Sequence, residues 1–511
     1  MKLRLSDEQK TIIGADDREM SVIAFAGAAK STTIKFKAKE RNSAKKLYLC
    51  FNKSVASEGA KSFKEFGVEN INITTIHSLA YNSQKIGNYY KLVNSIKVHE
   101  LIQQMGDKLT PTNYMLYNQG LKLFSSYCNS SIRKIDEVNY FEKLINSNPP
   151  DDILDLIKKK SAKIQKIAQN IWTSMETAKI PITHDFYLKK YQLKSPKLNY
   201  DVIYLDEGQD SSPVMLDIFM NQKSDKVVVG DPHQSLYGWR DAVNALDVLP
   251  YKRYYLTQSF RFPNNIADMA NDILNLKKLY GAADKDFNIK GLDKPSGRTG
   301  KIAYIGRNNM SILSRAILMA EANDTKFAYE GSLDNTIYTQ NGVSIYDIYY
   351  LFANKRDKIR HDFIKMFKGW GEFVKHITDM EDFELKTLAG LILKYKNEVF
   401  PLIKKLKTNE RKKNEADVIF STAHKSKGLE YSTVYVLDDF ISKKSFMEHI
   451  QLLSKLNKDQ KELQMQKLSE EINVLYVAAT RTLNQLYIAG DIPAYSYLDD
   501  YYLGRIADLL G

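Results

Sequence analysis

Cysteine is scarce in this chain, and long hydrophobic runs are lacking. Among 511 residues only Cys50 and Cys128 are cysteines, so the sequence can build neither a disulfide scaffold nor a four-cysteine zinc or iron–sulfur site. No apolar run approaches the ~18 residues that a membrane-spanning helix needs, and no signal peptide opens the chain. These features predict a cytoplasmic protein of a reducing compartment, with no membrane partner.

Acidic residues are outnumbered by basic ones, which gives a formal net charge of +13. Such a balance fits a polyanionic partner, although a solvated lysine-rich surface would produce the same charge. The high content of Lys, Asn, Tyr and Ile is typical of an A·T-rich genome and leads us to expect a bacterial or viral origin.

The length exceeds that of one ordinary core and predicts at least two domains. Short apolar runs alternate with helical patterns, which is typical of parallel sheets covered by helices. The runs lie at 21–23, 47–50, 202–205, 227–230, 302–305, 418–421, 434–437 and 486–488. We therefore predict an α/β fold with two parallel-sheet domains.

The domain boundaries follow from the stretches between these runs. Residues 82–195 and 308–415 have mostly helical patterns, so we predict that each domain carries a helical insertion. The first domain would comprise 1–81 plus 196–258, and the second 259–307 plus 416–511. Residues 441–472 are polar, with charges at helical spacing, and predict one long exposed helix.

A phosphate-binding loop is predicted where the apolar run 21–23 meets a helical pattern. Small residues there allow backbone N–H groups to cradle phosphates at a helix N-terminus. Lys30 would reach the terminal phosphates and Ser31 would hold Mg²⁺. The nucleotide-binding residues assigned to this segment are Gly27, Ala28, Ala29, Lys30, Ser31 and Thr32.

Ala29 departs from the usual pattern, because such loops normally carry glycine before the lysine. If the backbone there is left-handed, the Cβ of Ala29 costs roughly 1–2 kcal/mol. We expect a working but slower ATPase; the alternative is a loop that has decayed to a structural relic.

Two adjacent carboxylates follow the apolar run 202–205. Asp206 would bind Mg²⁺ through water or Ser31, and Glu207 would polarise the attacking water. Together with the phosphate loop, this pair indicates a nucleoside-triphosphate motor that uses ATP and Mg²⁺. No His/Cys or His/Glu set has the spacing of metal ligands, so Mg²⁺ is the only metal expected.

Further motifs follow in a fixed order along the chain. They read Gly-Asp-Pro-His-Gln-Ser-Leu-Tyr-Gly-Trp-Arg at 230–240, Gln-Ser-Phe-Arg-Phe-Pro at 258–263, Thr-Ala-His-Lys-Ser-Lys-Gly-Leu-Glu at 422–430 and Tyr-Val-Ala-Ala-Thr-Arg at 476–481. With the phosphate loop and the acidic pair, they resemble the superfamily I DNA helicases of the UvrD-like group over nearly the whole length. The resemblance is strongest to the F-box DNA helicase branch, although the sequence contains no F-box.

The resemblance implies two RecA-like motor domains with ATP between them, and three-prime to five-prime movement on single-stranded DNA. It also implies roles for individual residues. Gln9 would read adenine, Gln234 would sense the γ-phosphate, and Arg261 and Arg481 would act as arginine fingers from the second domain. The alternative for Gln9 is an ordinary helix residue. The alternative for Arg261 and Arg481 is a surface ion pair.

The motif at 422–430 would couple the two ligands. Thr422 and His424 would approach DNA phosphate, while Gly428 and Glu430 approach nucleotide, Glu430 at the ribose hydroxyl. His424 could instead be a packed, hydrogen-bonded histidine.

Other residues are expected to bind DNA by the same resemblance. Phe51 could stack a base, unless it is a core aromatic at a strand end. The full set assigned to DNA is Phe51, Asn52, Lys53, Thr75, His77, Tyr237, Trp239, Arg240, Thr422 and His424.

The segment 181–189 resembles one typical of the F-box helicase branch. Its His184 and Asp185 are not accompanied by a nucleophile, so we expect a structural or DNA-guiding role. The main functional hypothesis is a helicase that binds single-stranded and tailed duplex DNA. The second is a DNA-stimulated ATPase that gates a partner such as a nuclease, since no nuclease signature occurs here; RNA translocation is a weaker third.

Overall fold

The computed structural model describes residues 4–146, 149, 151–236, 243–282, 288–295, 297–322, 325–333, 338–339, 342–380, 382–498 and 500–510. The chain forms two compact units. The first comprises Met1–Asn94, Phe124–Val138 and Ile171–Ser296, and the second comprises Ser95–Leu123, Asn139–Asn170 and Gly297–Gly511.

A six-stranded, all-parallel sheet organises the first unit, in the order β3-β2-β4-β5-β1-β6. Its strands are β1 Glu19–Ala24, β2 Lys46–Leu49, β3 Ile71–Thr74, β4 Val202–Leu205, β5 Asp225–Gly230 and β6 Lys252–Leu256. Two further strands, β7 Gln258–Pro263 and β8 Lys290–Leu292, form a separate parallel pair.

Alternation along the central strands places the core of this unit on both faces of the sheet. Tyr48 and Tyr204 belong to one apolar cluster, whereas Leu47, Ile203 and Val228 belong to another. Because successive side chains of a strand point to opposite faces, both faces need a helical cover. The strands therefore read as continuous apolar runs.

The helices of the first unit are Asp7–Gly14, Lys30–Glu40, Lys53–Glu65, Ile76–Ser83, Ile86–Tyr89, His184–Leu193, Pro213–Met220, Ala245–Val248 and Asn264–Asn275, with 3-10 helices at Ile135–Glu137, Gly208–Asp210, Pro232–Gln234 and Leu276–Tyr280. The residues of helices Pro111–Asn129 and Asp151–Glu176 are divided between the units.

The second unit has a five-stranded parallel sheet in the order β10-β11-β9-β12-β13. Its strands are β9 Ile302–Gly306, β10 Phe327–Tyr329, β11 Val418–Thr422, β12 Tyr431–Val436 and β13 Thr482–Ile488. Its helices are Val98–Gln104, Tyr140–Asn146, Asn309–Ala322, Ile345–Phe352, Asp362–Lys365, Trp370–Asp379, Phe383–Tyr395, Val399–Asn409, Ala423–Ser426, Lys443–Leu453, Lys458–Ala479 and Asp500–Leu510, with 3-10 helices at Arg356–Lys358, Lys396–Glu398 and Tyr495–Tyr497.

The predicted α/β class with two parallel sheets is confirmed, and a strand lies at each of the eight apolar runs. The domain boundaries stay a prediction. Among the described residues, no helix combines the length and the apolar character that crossing a membrane requires.

The prediction of one long exposed helix at 441–472 is wrong. Two helices, Lys443–Leu453 and Lys458–Ala479, occupy this stretch. Asn457 starts the second, its side-chain oxygen accepting a hydrogen bond from the Gln460 amide at 3.0 Å, because asparagine is a favoured N-cap. His449 and Gln464 are hydrogen-bonded across the pair, which shows that the helices fold back on each other.

Candidate functional site

The motifs of the first unit meet at one edge of its sheet. The phosphate loop follows β1, and the acidic pair follows β4. The segments that begin at Phe51, Thr75 and Asp231 follow β2, β3 and β5. Because all these strands are parallel, their carboxyl ends share an edge, which is where open α/β sheets bind ligands.

Close packing against β7 holds the phosphate loop. The Phe260 amide donates to the Gly27 carbonyl at 2.9 Å. Gly27 has φ +76°, and a Cβ there would lie 2.4 Å from Ser259 Oγ and 2.5 Å from Arg261 Cβ. Only glycine therefore fits, since this backbone conformation also disfavours L side chains.

Ala29 adopts the left-handed conformation expected if the loop is formed, with φ 56° and ψ 39°. It precedes helix Lys30–Glu40 and is the N-cap residue, without a side-chain hydrogen bond to the helix. The sequence predicts strain at Ala29 if its backbone is left-handed, and the structure meets that condition.

The variant Ala29→Gly should raise the free energy of unfolding by about 0.5–1 kcal/mol, because relief of ~1–2 kcal/mol of left-handed strain exceeds the added entropy of the unfolded chain. Urea unfolding measures the change as a higher midpoint at constant slope. The neighbouring Ala28, whose φ is not positive, is the matched control, and Ala28→Gly should lower the midpoint. A decrease in both variants would contradict the strain.

A lysine and two carboxylates form the charged centre of this edge. Lys30 Nζ lies 2.6 Å from Glu207 Oε1. Burial alone would lower the pKa of Lys30, but the charges of Glu207 and Asp206 outweigh it and raise the pKa. For Asp206, burial and the Glu207 charge raise the pKa, against the opposing effects of Lys30 and the Tyr48 hydroxyl.

These carboxylates suit a divalent cation. Asp206 is half-buried beside a second carboxylate that disfavours its ionised form, so a cation there would stabilise both charges. Oxygen ligands are also those that Mg²⁺ prefers. Asp206 and Ser31, which is exposed on the helix that follows the phosphate loop, therefore fit the Mg²⁺ ion that the sequence predicts.

A chain of hydrogen bonds leads from this centre to Gln234. Gln209 donates to the second oxygen of Glu207, and its own oxygen accepts from the Asp231 amide at 3.1 Å. Asp231 in turn accepts from Gln234 Nε2 at 2.7 Å. The roles of Gln209, Asp231 and Tyr48 were missed at the sequence level; the first two lie within the recognised motifs, whereas no signal distinguishes Tyr48 from a core aromatic.

Gln9 is buried and held in place by three hydrogen bonds. Its side-chain oxygen accepts from the Ser6 amide at 2.9 Å, and the Ser6 hydroxyl accepts from the Gln9 amide. Its Nε2 donates to Thr33 of the helix that follows the phosphate loop, at 3.0 Å. This places Gln9 beside that helix; adenine recognition stays a prediction.

The two predicted arginine fingers lie in different compact units. Arg261, which is predicted to act from the second domain, lies on β7 beside Gly27 within the first compact unit. Arg481 belongs to the second unit and is only 1% exposed. Its Nε donates to the Val477 carbonyl at 2.9 Å.

In the second unit, the predicted nucleotide and DNA residues lie at opposite edges of the sheet. Thr422 ends β11 and caps the short helix that contains His424. Glu430 and Arg481 directly precede β12 and β13, at the amino ends of the strands. Glu430 is paired with Arg298. Gly428, between these groups, has φ +81°.

The DNA-binding predictions of the first unit fall on exposed or capping positions. Phe51 is 47% exposed, which argues against a core aromatic, and Lys53 is exposed. Asn52 and Thr75 cap the helices that follow β2 and β3, and His77 is half-buried. Tyr237, Trp239 and Arg240 lie outside the described residues.

Known protein families match most of the chain. Residues 5–247 match the UvrD/REP helicase N-terminal domain, and residues 364–490 match the UvrD-like helicase C-terminal domain.

Individual relatives agree with these matches. F-box DNA helicase 1 of Gallus gallus is 30% identical over 96% of this chain and 49% of its own length. F-box DNA helicase protein 1 of Schizosaccharomyces pombe is 27% identical over 96% of this chain and 58% of its own. The ATP-dependent DNA helicase PcrA of Staphylococcus epidermidis is 31% identical over 19% of this chain and 13% of its own. The chain thus spans about half the length of the two F-box helicases.

Because the two F-box DNA helicases that the chain resembles are eukaryotic, the bacterial or viral origin expected from composition is not supported. The two family matches agree in order and position with the motifs around Lys30, Asp206 and Arg481. The chain belongs to the UvrD-like DNA helicase family, and its similarity to the two F-box DNA helicases agrees with that branch.

Proposed function

We propose that this protein is an ATP-driven translocase on single-stranded DNA that unwinds duplex DNA. The Lys30–Glu207–Asp206 cluster, beside the phosphate loop and linked to Gln234, carries this proposal. The resemblance supplies the three-prime to five-prime direction. A role in DNA repair or recombination would follow from the family.

The ion pair at the centre suggests how ATP starts the cycle. The β- and γ-phosphates would compete with Glu207 for Lys30, and the freed carboxylate could then polarise the attacking water. Asp206 and Ser31 would hold Mg²⁺, which supplies charge neutralisation on the phosphates. Movement of Glu207 would shift Gln234 through the hydrogen bonds of Gln209 and Asp231. This series of hydrogen bonds is therefore suited to sense whether the γ-phosphate is bound.

The arginines would make hydrolysis conditional on the closed arrangement of the motor. Arg261 lies next to Gly27 of the loop, close to where phosphates would bind. Arg481 would have to be delivered from the second domain on closure, as the family pattern implies. Single-stranded DNA would then be gripped by Phe51 and its neighbours and released after hydrolysis.

Affinity for single-stranded DNA should fall steeply with salt, because lysine contacts to phosphate release counterions. Fluorescence anisotropy on a labelled oligothymidine, repeated over a salt series, gives the slope directly. An affinity that is independent of salt would count against the electrostatic surface implied by the +13 charge.

Two assays separate the proposed translocase from the alternative of an ATPase that gates a partner such as a nuclease. One follows ATP hydrolysis with and without single-stranded DNA, and the other follows strand release from a tailed duplex by the purified protein. DNA-stimulated hydrolysis with unwinding supports the translocase. Hydrolysis without unwinding favours the alternative, to which the strain at Ala29 adds support; no stimulation by DNA contradicts both.

A further inference from the structure

The segment 181–189, which the nucleotide site does not use, forms the start of a buried helix. Helix His184–Leu193 is capped by Thr183, whose Oγ1 accepts from the Phe186 amide at 3.4 Å. Gln84 Nε2 donates to the Tyr187 carbonyl at 2.8 Å and joins this helix to the end of helix Ile76–Ser83. The two helices that carry His77 and His184 are therefore held side by side.

Three rings meet where these helices begin. The ring of His77 lies 6.2 Å from that of His184 and 5.9 Å from that of Tyr187, both in edge-to-face orientation. His184 Nδ1 lies 2.9 Å from the Tyr187 hydroxyl. A residue predicted to contact DNA, His77, thus shares one aromatic cluster with the segment 181–189, for which a structural or DNA-guiding role is expected.

Burial favours the neutral form of both histidines in this cluster. Burial lowers the pKa of His77 to about 4, helped by His184 and opposed by Asp185. Burial also lowers the pKa of His184, opposed by Asp185 and helped by Lys53. Asp185 and Lys53 are the charged groups whose electrostatic effects reach the pair.

The hydrogen bond between His184 Nδ1 and the Tyr187 hydroxyl is compatible with either neutral tautomer of His184. Burial raises the pKa of Tyr187 well above its usual range, so the hydroxyl keeps its proton and is able to donate it to Nδ1. In that arrangement the ring proton resides on Nε2, because a neutral imidazole carries only one. Nε2 is then an uncharged hydrogen-bond donor.

We propose that His184 is a further contact to single-stranded DNA, in which its uncharged Nε2–H donates to a phosphate oxygen. Tyr187 is the positioning residue that fixes the tautomer. The inference rests on the proposed function and extends the predicted DNA path from Lys53 and His77 onto the helix that begins at His184. Such a contact adds affinity without releasing a counterion.

The test is oligothymidine binding by anisotropy, without nucleotide, over a series of salt concentrations. His184→Leu should weaken binding about three- to tenfold at every salt concentration, with an unchanged slope. Lys53→Ala should instead reduce the slope by about 0.7. His184→Gln, which keeps an N–H donor, should recover most of the affinity. If His184→Leu fails to fold, His184→Ala takes its place as the variant without a donor.

The matched control is His99→Leu in the second unit. His99 is also half-buried, with a lowered pKa and an edge-to-face contact to another histidine, His361, at 5.0 Å. Its replacement should leave affinity unchanged. Tyr187→Phe should weaken binding in the wild-type background but not in His184→Leu, since a positioning effect disappears with the residue it positions.

The outcomes are distinct. Wild-type protein that fails to bind oligothymidine overturns the proposed function and this inference together. Normal wild-type binding with equal affinity of His184→Leu overturns only the inference. A loss of affinity in His184→Leu that vanishes at high salt also overturns the inference, because it would show a charged contact. A loss of the same size in His99→Leu overturns it as well, because the effect would not be specific to His184.

Discussion

Replacing Lys30 by alanine should reduce ATP hydrolysis by about 10²–10³-fold, the typical cost of removing one preorganised group that stabilises charge in a transition state. Lys30 is paired with Glu207, and the charges of Glu207 and Asp206 hold its pKa above the usual value despite burial. It therefore stays protonated throughout the neutral range and is available to phosphate oxygens.

The steady-state hydrolysis rate with saturating single-stranded DNA measures this effect. Lys39→Ala is the control, because Lys39 lies on the same helix and its Nζ donates only to the Phe66 carbonyl among its described hydrogen bonds. Lys39→Ala should retain the wild-type rate. Undiminished hydrolysis in Lys30→Ala would exclude the phosphate-loop assignment altogether.

The second large effect is expected for Glu207→Gln, which should lower the hydrolysis rate about 10²–10³-fold while ATP binds as well as before or several-fold more tightly. The rate falls because the amide cannot act as a general base. Binding is preserved because ATP no longer has to displace a carboxylate from Lys30 at 2.6 Å. A split between kcat and the dissociation constant is therefore the signature of competition for Lys30.

Single-turnover hydrolysis and equilibrium binding of ATP measure the two quantities separately. Glu19→Gln provides the control, since Glu19 pairs with Lys226 at 3.0 Å at the start of β1, the end of that strand opposite the phosphate loop. Neither quantity should change in this variant. If Glu207→Gln lost binding and rate in equal proportion, the ion pair would be a structural support rather than a competitor of phosphate.

In the first sheet, the central strands could be predicted from the sequence, but the two edge strands could not. β1, β2, β4 and β5 are covered on both faces and therefore read as apolar runs. β3 and β6 form the two edges of the same sheet and are only partly buried. Their polar residues interrupt the run, because an edge strand needs less apolar surface.

At the candidate site, local chemistry was predictable and long-range pairing was not. The left-handed Ala29 followed from the residue types around it. The contacts of Gln209 with Glu207 and Asp231 required knowing which strands are neighbours. Likewise, nothing in the segment 181–189 indicates that Tyr187 lies against His77. The two residues are far apart in the sequence and meet because their helices pack together.

The parallel arrangement of the first sheet also sets when this site can form during synthesis. β1 pairs with β5 and β6, so Ser21 lies opposite Val228 and Arg253, and the Phe25 amide donates to Leu256. The loop that follows β1 therefore has no support until the ribosome has made about 230 further residues. At about 5–20 residues per second, strand β1 waits roughly ten to fifty seconds before both of its partner strands have been made.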